Sequence, residues 1–374
     1  MIKRLLAVCA VAALTIGSHA VSQDMVDGHP DTYTVQRGDT LWDIAGRFLQ
    51  KPWLWPEIWQ ANPQIENPHL IFPGDVISLA YLNGRPQGTV DAGPRTSEAI
   101  DAIPLSEVED FLKKHRVVDS IDGLPYVVGL EEDRLRGAAG YAAYVRGLDG
   151  ASEGQRFRVM RPSVRYMRND LGREADRMRN NMLDQRGAVQ RQNWQNTWSD
   201  AADSGEGEFL GYELVDLGTA LVTRTSSDVT TIVMQDQGLE IREGDRLLPV
   251  EPQAFDLQFV PHAASGGLEA RVMAVTEGYR VAGSRQVIAL DVGARDGVDN
   301  GTVFSLWRDG SVTPDRVAGA TPISARRNAV GLPDEFAGHV MVFKTFDNVS
   351  YGLVMTTIRQ VGVGYAAKHP DAEE

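Results

Sequence analysis

From Asp31 to Leu82 the apolar positions change period more than once. Thr32 to Gln36 alternates like a short strand and runs into Arg37-Gly38-Asp39, a turn sequence. Leu41, Ile44, Ala45 and Phe48 then recur at i, i+3, i+4 and i+7, the stripe of a short amphipathic helix, and Thr40 with Asp43 three residues on supplies a capping pattern. Pro56 suits the first turn of a second helix, with Trp55, Ile58 and Trp59 on its inner face and Asn62-Pro63 as its stop. Phe72-Pro73-Gly74-Asp75 is a type II turn sequence, because Pro sets φ at the second position and Gly supplies positive φ at the third. Val76 to Leu79 reads as a second strand. The predicted order over residues 31–82 is β-α-α-β, an α+β unit.

The next stretch, 83–104, contains Pro86, Pro94 and Pro104 with Gly84, Gly88 and Gly93 and has no apolar period, so it reads as a linker. Ser106-x-x-Glu109 then opens a helix with Leu105, Val108 and Leu112 on one face. After it the period shortens to two. Runs at Tyr126–Val128, Tyr141–Val145, Ala220–Thr223, Thr230–Met234, Val287–Leu290, Val340–Phe343 and Leu353–Thr357 alternate with glycine turns, the pattern of a mainly β region.

That region repeats itself. Asp149-Gly150-x-x-x-Gly154-x-x-Phe157 recurs 147 residues on as Asp296-Gly297-x-x-x-Gly301-x-x-Phe304, and Glu208-Phe209-x-Gly211 recurs 127 residues on as Glu335-Phe336-x-Gly338. Two motifs in the same order imply two related β modules. We expect the first over 105–250, a connecting segment over 251–285, the second over 286–366 and a tail over 367–374. The unequal offsets place extra sequence in the first copy, at 163–207, an Arg-, Asn- and Gln-rich insertion. Met167, Leu171, Ala175, Met178 and Met182 have helical spacing there, yet few large apolar residues accompany them. A docking helix and a solvated surface insertion both remain open, the second favoured.

Composition narrows the setting. Of 374 residues, 43% are hydrophobic and 24% charged, as in a globular protein of more than one core. Residues 1–20 have the build of a secretory signal peptide, with Lys3 and Arg4, an apolar run from Leu5 to Ile16 and Ser18-His19-Ala20 at the cleavage position. Cys9, the single cysteine, lies in that run. A weak lipoprotein-box likeness at Leu6-Ala7-Val8-Cys9 is offset by Val8 and by the short preceding segment, so the mature chain is expected to carry no thiol or disulfide. The formal charge of −14 gives no general attraction to nucleic acid or anionic lipid.

The residues Tyr33-x-Val35-x-x-Gly38-Asp39-Thr40-Leu41-Trp42-x-Ile44-Ala45, then Asn62-Pro63, then Ile71-x-Pro73-Gly74-Asp75 resemble the LysM domain, with longer connections at Lys51–Trp55 and Gln64–His69. The resemblance implies binding of N-acetylglucosamine-containing glycans, chiefly peptidoglycan. It implies a shallow groove with Gly38, Asp39, Thr40, Leu41 and Trp42 on one side and Asn62, Pro63, Gln64, Ile65, Ile71 and Phe72 on the other. Turn backbone groups would bond the N-acetyl amide, and apolar walls would cover its methyl. Trp42 is off the Leu41/Ile44/Phe48 stripe, so it could face either a sugar or the core; Trp53, Trp55 and Trp59 are expected in the core. The whole chain is also similar to the type IV pilus secretin-associated family, through Lys51–Trp59, Asn67–Asp75, Gly211-Tyr212-Glu213 and Gly244-Asp245-Arg246-Leu247. This second resemblance implies a periplasmic protein that associates with an outer-membrane secretin.

No catalytic motif stands beside the binding one. His29, His69, His115, His262, His339 and His369 are scattered without H-x-H or H-E-x-x-H spacing, and there is no G-x-S-x-G elbow. The expectation is a non-catalytic periplasmic adaptor that needs no metal or cofactor. A peptidoglycan hydrolase using a spatial carboxylate pair, and a wall-binding protein with no pilus role, stay open as alternatives.

Overall fold

The structure is a computed structural model and describes residues 25–56, 71–82, 85–92, 103, 105–168, 208–236, 239–250, 259–275, 281–318, 323 and 327–372. The chain divides into two compact units, one of residues 1–105 with 256–263, the other of residues 106–255 with 264–374.

In the first unit β1 (Thr32–Thr34) leads to α1 (Leu41–Phe48), a 3-10 turn over Pro52–Leu54 and β2 (Val76–Leu82). Thr40 caps α1 as its sequence requires: its hydroxyl accepts from the Asp43 amide at 3.2 Å and donates to the Asp43 carboxylate at 2.9 Å. The stripe of α1 is buried against Val35, Trp55, Ile71 and Ile77. Trp55 and Pro56 are helical, but the body of the expected second helix lies outside the described residues. Two elements extend the unit beyond its expected limits. Met25 joins the core and bridges to Leu49, and residues expected in the linker form β3 (Arg85–Asp91), antiparallel to β2. Pro86 had argued for a linker, but a strand bordered on one side only tolerates a missing donor.

The second unit opens with α2 (Leu105–Lys114) and β4 (His115–Val118). Then come β5 (Tyr126–Leu130), β6 (Ala142–Arg146), β7 (Arg156–Arg168), β8 (Glu208–Thr225), β9 (Thr230–Met234) and β10 (Arg246–Pro249). Hydrogen bonding runs β8-β7-β10-β5-β6-β9 and returns to β8, so the sheet closes into a small barrel. Alternate residues fill it: Thr230, Ile232 and Met234 of β9 are buried while their neighbours are less so.

A two-residue strand, β11 (His262–Ala263), belongs with the first unit. The second unit continues with β12 (Ala270–Val275), β13 (Val281–Ala282), β14 (Val287–Leu290), β15 (Thr302–Arg308), β16 (Val312–Thr313), β17 (Val330–Gly331), β18 (Glu335–Thr345), β19 (Ser350–Thr357), β20 (Val361–Gly362) and β21 (Ala366–Lys368). Strands β15-β18-β19-β14-β12-β21 close a second ring. Matched in chain order, β5 to β10 and β12, β14, β15, β18, β19, β21 give the same circuit of neighbours. The second barrel therefore begins at Ala270 and ends at Lys368, drawing its first strand from the expected connecting segment and its last from the expected tail.

The two barrels share this circuit of strands, but one of the two repeated sequence motifs does not fall at matching positions in it. Phe157 and Phe304 occupy the same place: each follows a glycine whose amide bonds across to strand four, Gly154 to Val222 at 2.8 Å and Gly301 to Val342 at 2.7 Å. Gly244 and Gly364 match as well, bonding Val127 and Val272 at 2.8 Å. In strand four, however, Gly338 faces Leu306, and the residue facing the equivalent Val159 is Gly218, not Gly211. Glu208-Phe209-x-Gly211 lies farther out, on a part of β8 that the second barrel lacks.

That part is an arm. Arg161–Arg168 of β7 and Glu208–Val215 of β8 pair beyond the barrel, and β4 adds a third strand through Val215–Tyr212. Residues 163–168 of the expected insertion are thus paired strand; the rest, with its helical spacing, lies outside the described residues. The arm lies on the end of the second barrel, where Glu213 is buried. Its carboxylate accepts from Ser163 at 2.6 Å, Tyr166 at 2.7 Å and Tyr351 at 2.9 Å. Burial works against its charge, but His115, 3.6 Å away, and the Ser163 and Tyr166 hydroxyls outweigh that and bring the carboxyl down to about 2. At that distance His115 acts by proximity, not as a close hydrogen-bond partner. From α2, Phe111 stacks on His115 with centroids 3.9 Å apart and meets Tyr351 edge-on at 4.8 Å.

Candidate functional site

The expected groove needs two turns to lie side by side, and backbone bonds pin them there. The Val35 amide donates to the Asp75 carbonyl and the Gly74 amide donates to the Val35 carbonyl, each at 2.8 Å. The turn before α1 and the turn before β2 are therefore held as one surface.

Each turn is also tied internally by an aspartate. Asp39 Oδ2 accepts from the Gln36 amide and from the Tyr33 hydroxyl, both at 2.8 Å. Asp75 Oδ2 accepts from the Phe72 amide at 3.0 Å. Gly38 and Gly74 have φ of +93° and +96°, as the turn chemistry requires. Burial first, then the hydrogen bond to Asp39, raises the Tyr33 phenol above its ordinary value. Arg47 lies over the same ring at 4.4 Å.

The site residues divide sharply by exposure. Gly38 is exposed, and Asp39 and Phe72 are half-buried. Thr40, Leu41, Trp42 and Ile71 are buried, at 4%, 0%, 1% and 1% exposure. Of the expected groove residues, Thr40 turns its hydroxyl to the cap of α1 and Ile71 packs in the core, so neither presents its side chain on the open surface. For Trp42 the core reading holds. Its ring lies 6.4 Å from that of Trp53, because the 3-10 turn after α1 folds back against the helix face that carries it. Its indole N–H has no partner among the described residues. Trp53 and Trp55 are buried as expected. Asn62, Pro63, Gln64 and Ile65, assigned to the opposite wall, lie outside the described residues.

What remains open on this side is backbone and edge: the Arg37-Gly38-Asp39 turn, the Phe72 ring and the Pro73-Gly74 corner. Such a surface can hydrogen-bond an amide and cover a small apolar group, and it presents no dense charge. Among the described residues there is no group of three or more His, Cys, Asp or Glu placed to hold a metal ion.

Residues 33–80 match the LysM domain family. The chain is also similar to an uncharacterized protein, YqbP, of Bacillus subtilis strain 168, with 42% identity over 60 residues. That likeness covers 13% of this chain and 27% of the relative, so the chain spans about a quarter of the relative's length. LysM domains bind N-acetylglucosamine-containing glycans such as peptidoglycan. The chain thus carries a LysM domain followed by a mostly β region of barrel-like sheets.

Proposed function

We propose that this protein is a non-catalytic adaptor of the bacterial envelope. Its LysM unit grips peptidoglycan through the paired turns at Gly38 and Gly74, and its barrel unit holds a protein partner. The reading is carried by the LysM match over residues 33–80 together with the pinning of Val35 to Gly74 and Asp75. The signal-like start and the absence of a lytic motif in the sequence support a periplasmic, non-enzymatic role. The chain's likeness to the secretin-associated family makes an outer-membrane secretin of a type IV pilus the first partner to test.

Co-sedimentation with purified peptidoglycan sacculi tests the first part. The protein should pellet with sacculi and release no soluble muropeptides. Phe72→Ala should weaken binding by about tenfold, the value of roughly 1.4 kcal/mol of lost contact, while melting as the parent does. Failure to pellet overturns the glycan reading, and released muropeptides would establish the hydrolase instead. Affinity capture from envelope extracts with the intact protein tests the second part. Recovery of the secretin supports it, and intact secretin rings and pili in a deletion strain would overturn it.

A further inference from the structure

We propose that Tyr33 is a positioning residue for the glycan-binding surface. Its hydroxyl, acting through Asp39, holds the exposed turn at Gly38 in the form that receives the ligand. The inference rests on the glycan reading and adds a residue that lies outside the expected groove.

One backbone clasp recurs in this chain. The amide of an aspartate donates to the carbonyl three residues back, and the amide of that earlier residue donates to the aspartate side chain. The clasp closes Gln36-Arg37-Gly38-Asp39 with distances of 3.2 and 2.8 Å, and Phe72-Pro73-Gly74-Asp75 with 3.0 and 3.0 Å. It closes Arg242-Glu243-Gly244-Asp245 with 3.3 and 2.7 Å. The glycine before each aspartate has φ of +93°, +96° and +88° in turn. Each clasp depends on the aim of its carboxylate, since one oxygen must reach back across the turn.

The three differ in what aims that carboxylate. Asp75 and Asp245 are sealed, at 0% and 1% exposure. Asp245 is also gripped by the Arg161 guanidinium, two of whose nitrogens reach its two oxygens at 2.9 Å each. Asp39 is only half-buried, and Gln36, Arg37 and Gly38 are exposed, so water competes for the same groups. Among the described residues its one side-chain hydrogen-bond partner is the Tyr33 hydroxyl. That hydroxyl donates at 2.8 Å to the oxygen that also takes the Gln36 amide.

Tyr33 is held from outside the turn. It lies in β1, packs against the core of the LysM unit, and has the Arg47 guanidinium of α1 over its ring at 4.4 Å. The strand and the helix thus fix the point from which the turn is tied. Burial, then the hydrogen bond to Asp39, raises the phenol above its ordinary value, so it stays a donor through the neutral and mildly alkaline range. The open surface here is largely backbone, whose groups meet a ligand only as the turn orients them. A turn already held in that form gives up less freedom on binding. Removing the hydroxyl leaves the α1 cap and the bonds from Val35 to Gly74 and Asp75 in place, so its effect falls on the ligand contact and not on the fold.

Binding isotherms of the intact protein on purified peptidoglycan sacculi test this, with thermal melting measured beside them. Tyr33→Phe should bind about fivefold more weakly, the scale of one net hydrogen bond, and melt as the parent does. Hydrogen exchange should quicken at the Gln36 amide in that variant and stay unchanged at the helical amide of Ile44. Asp39→Ala should weaken binding further. Tyr33→Phe added to Asp39→Ala should cost nothing more, the mark of a hydroxyl that acts through Asp39. Equal binding by Tyr33→Phe and the parent overturns the inference and leaves the glycan reading standing. So does an additional loss in the double variant, or a Tyr33→Phe whose melting falls along with its affinity. A parent that fails to bind sacculi removes the glycan reading and this inference with it.

Discussion

Glu213 decides more than its place in the sequence suggests. Gly211-Tyr212-Glu213 stood out only by family likeness, and nothing in the sequence brings Tyr166 and Tyr351 to the same carboxylate. The group's folded value of about 2 lies below its ordinary 4.5. Its contribution is therefore complete above about pH 4.5 and is lost as pH falls toward 2, on the order of 3 kcal/mol in all. Acid titration of stability should show that loss in the parent protein, and Glu213→Gln should flatten the same limb while lowering stability at pH 7. An unchanged limb in the variant would remove Glu213 as its cause. Thr40 is the opposite case, legible from T-x-x-D alone. Thr40→Ala should lower the stability of the first unit by about 1 kcal/mol, read by thermal melting. Trp42 lies between these cases. Its position on the helix was known, but whether the ring met sugar or core depended on where the 3-10 turn folds.

At the scale of elements, short motifs found the repeat but not its alignment. Asp-Gly and the following glycine mark the same turn in both barrels because each sets a backbone conformation locally. Glu-Phe-x-Gly marks no common position, since β8 carries an arm that β18 lacks and the likeness falls seven residues out of step. Hydrogen-bond register, which pairs residues far apart in the chain, resolves it. Gly338 belongs with Gly218, and the two are not equally demanding. A Cβ on Gly338 would lie 2.0 Å from the Thr356 carbonyl oxygen, whereas on Gly218 the nearest atom would be the Met234 methyl at 3.4 Å. Gly338→Ala should cost more than about 3 kcal/mol and unfold the second barrel. Gly150→Ala, with open space around it and φ of +78°, should cost only about 1 kcal/mol. Denaturant melts of the two variants check that ranking, and equal costs would contradict the close approach of Gly338 to Thr356. Phe111 is the same kind of test for α2. Its ring sits among His115, Phe343 and Tyr351, and Phe111→Ala should cost about 3 kcal/mol.

For the whole molecule, net charge bears on how the glycan contact behaves. With a formal charge of −14 the chain has no general attraction to an acidic wall polymer, and the open face of the LysM unit is turn backbone and one ring. Binding to sacculi should therefore change little between low and high salt. Pelleting with sacculi across a salt series checks this, and loss of binding at high salt would contradict it.

The first strand and helix of the LysM unit, its cap, its turns and the mostly β character of the region that follows were all set by residues close together in the chain. Capping, positive φ and apolar period are local, so the amino-acid sequence alone carries them. The ring closure of each barrel, the strand hidden in a proline-bearing stretch, the arm laid on the neighbouring barrel and the burial of Thr40, Trp42 and Ile71 were decided in three dimensions. Each depends on which distant segments meet. That outcome follows from the total apolar surface the fold can cover and the hydrogen bonds it can close, not from any one segment's pattern.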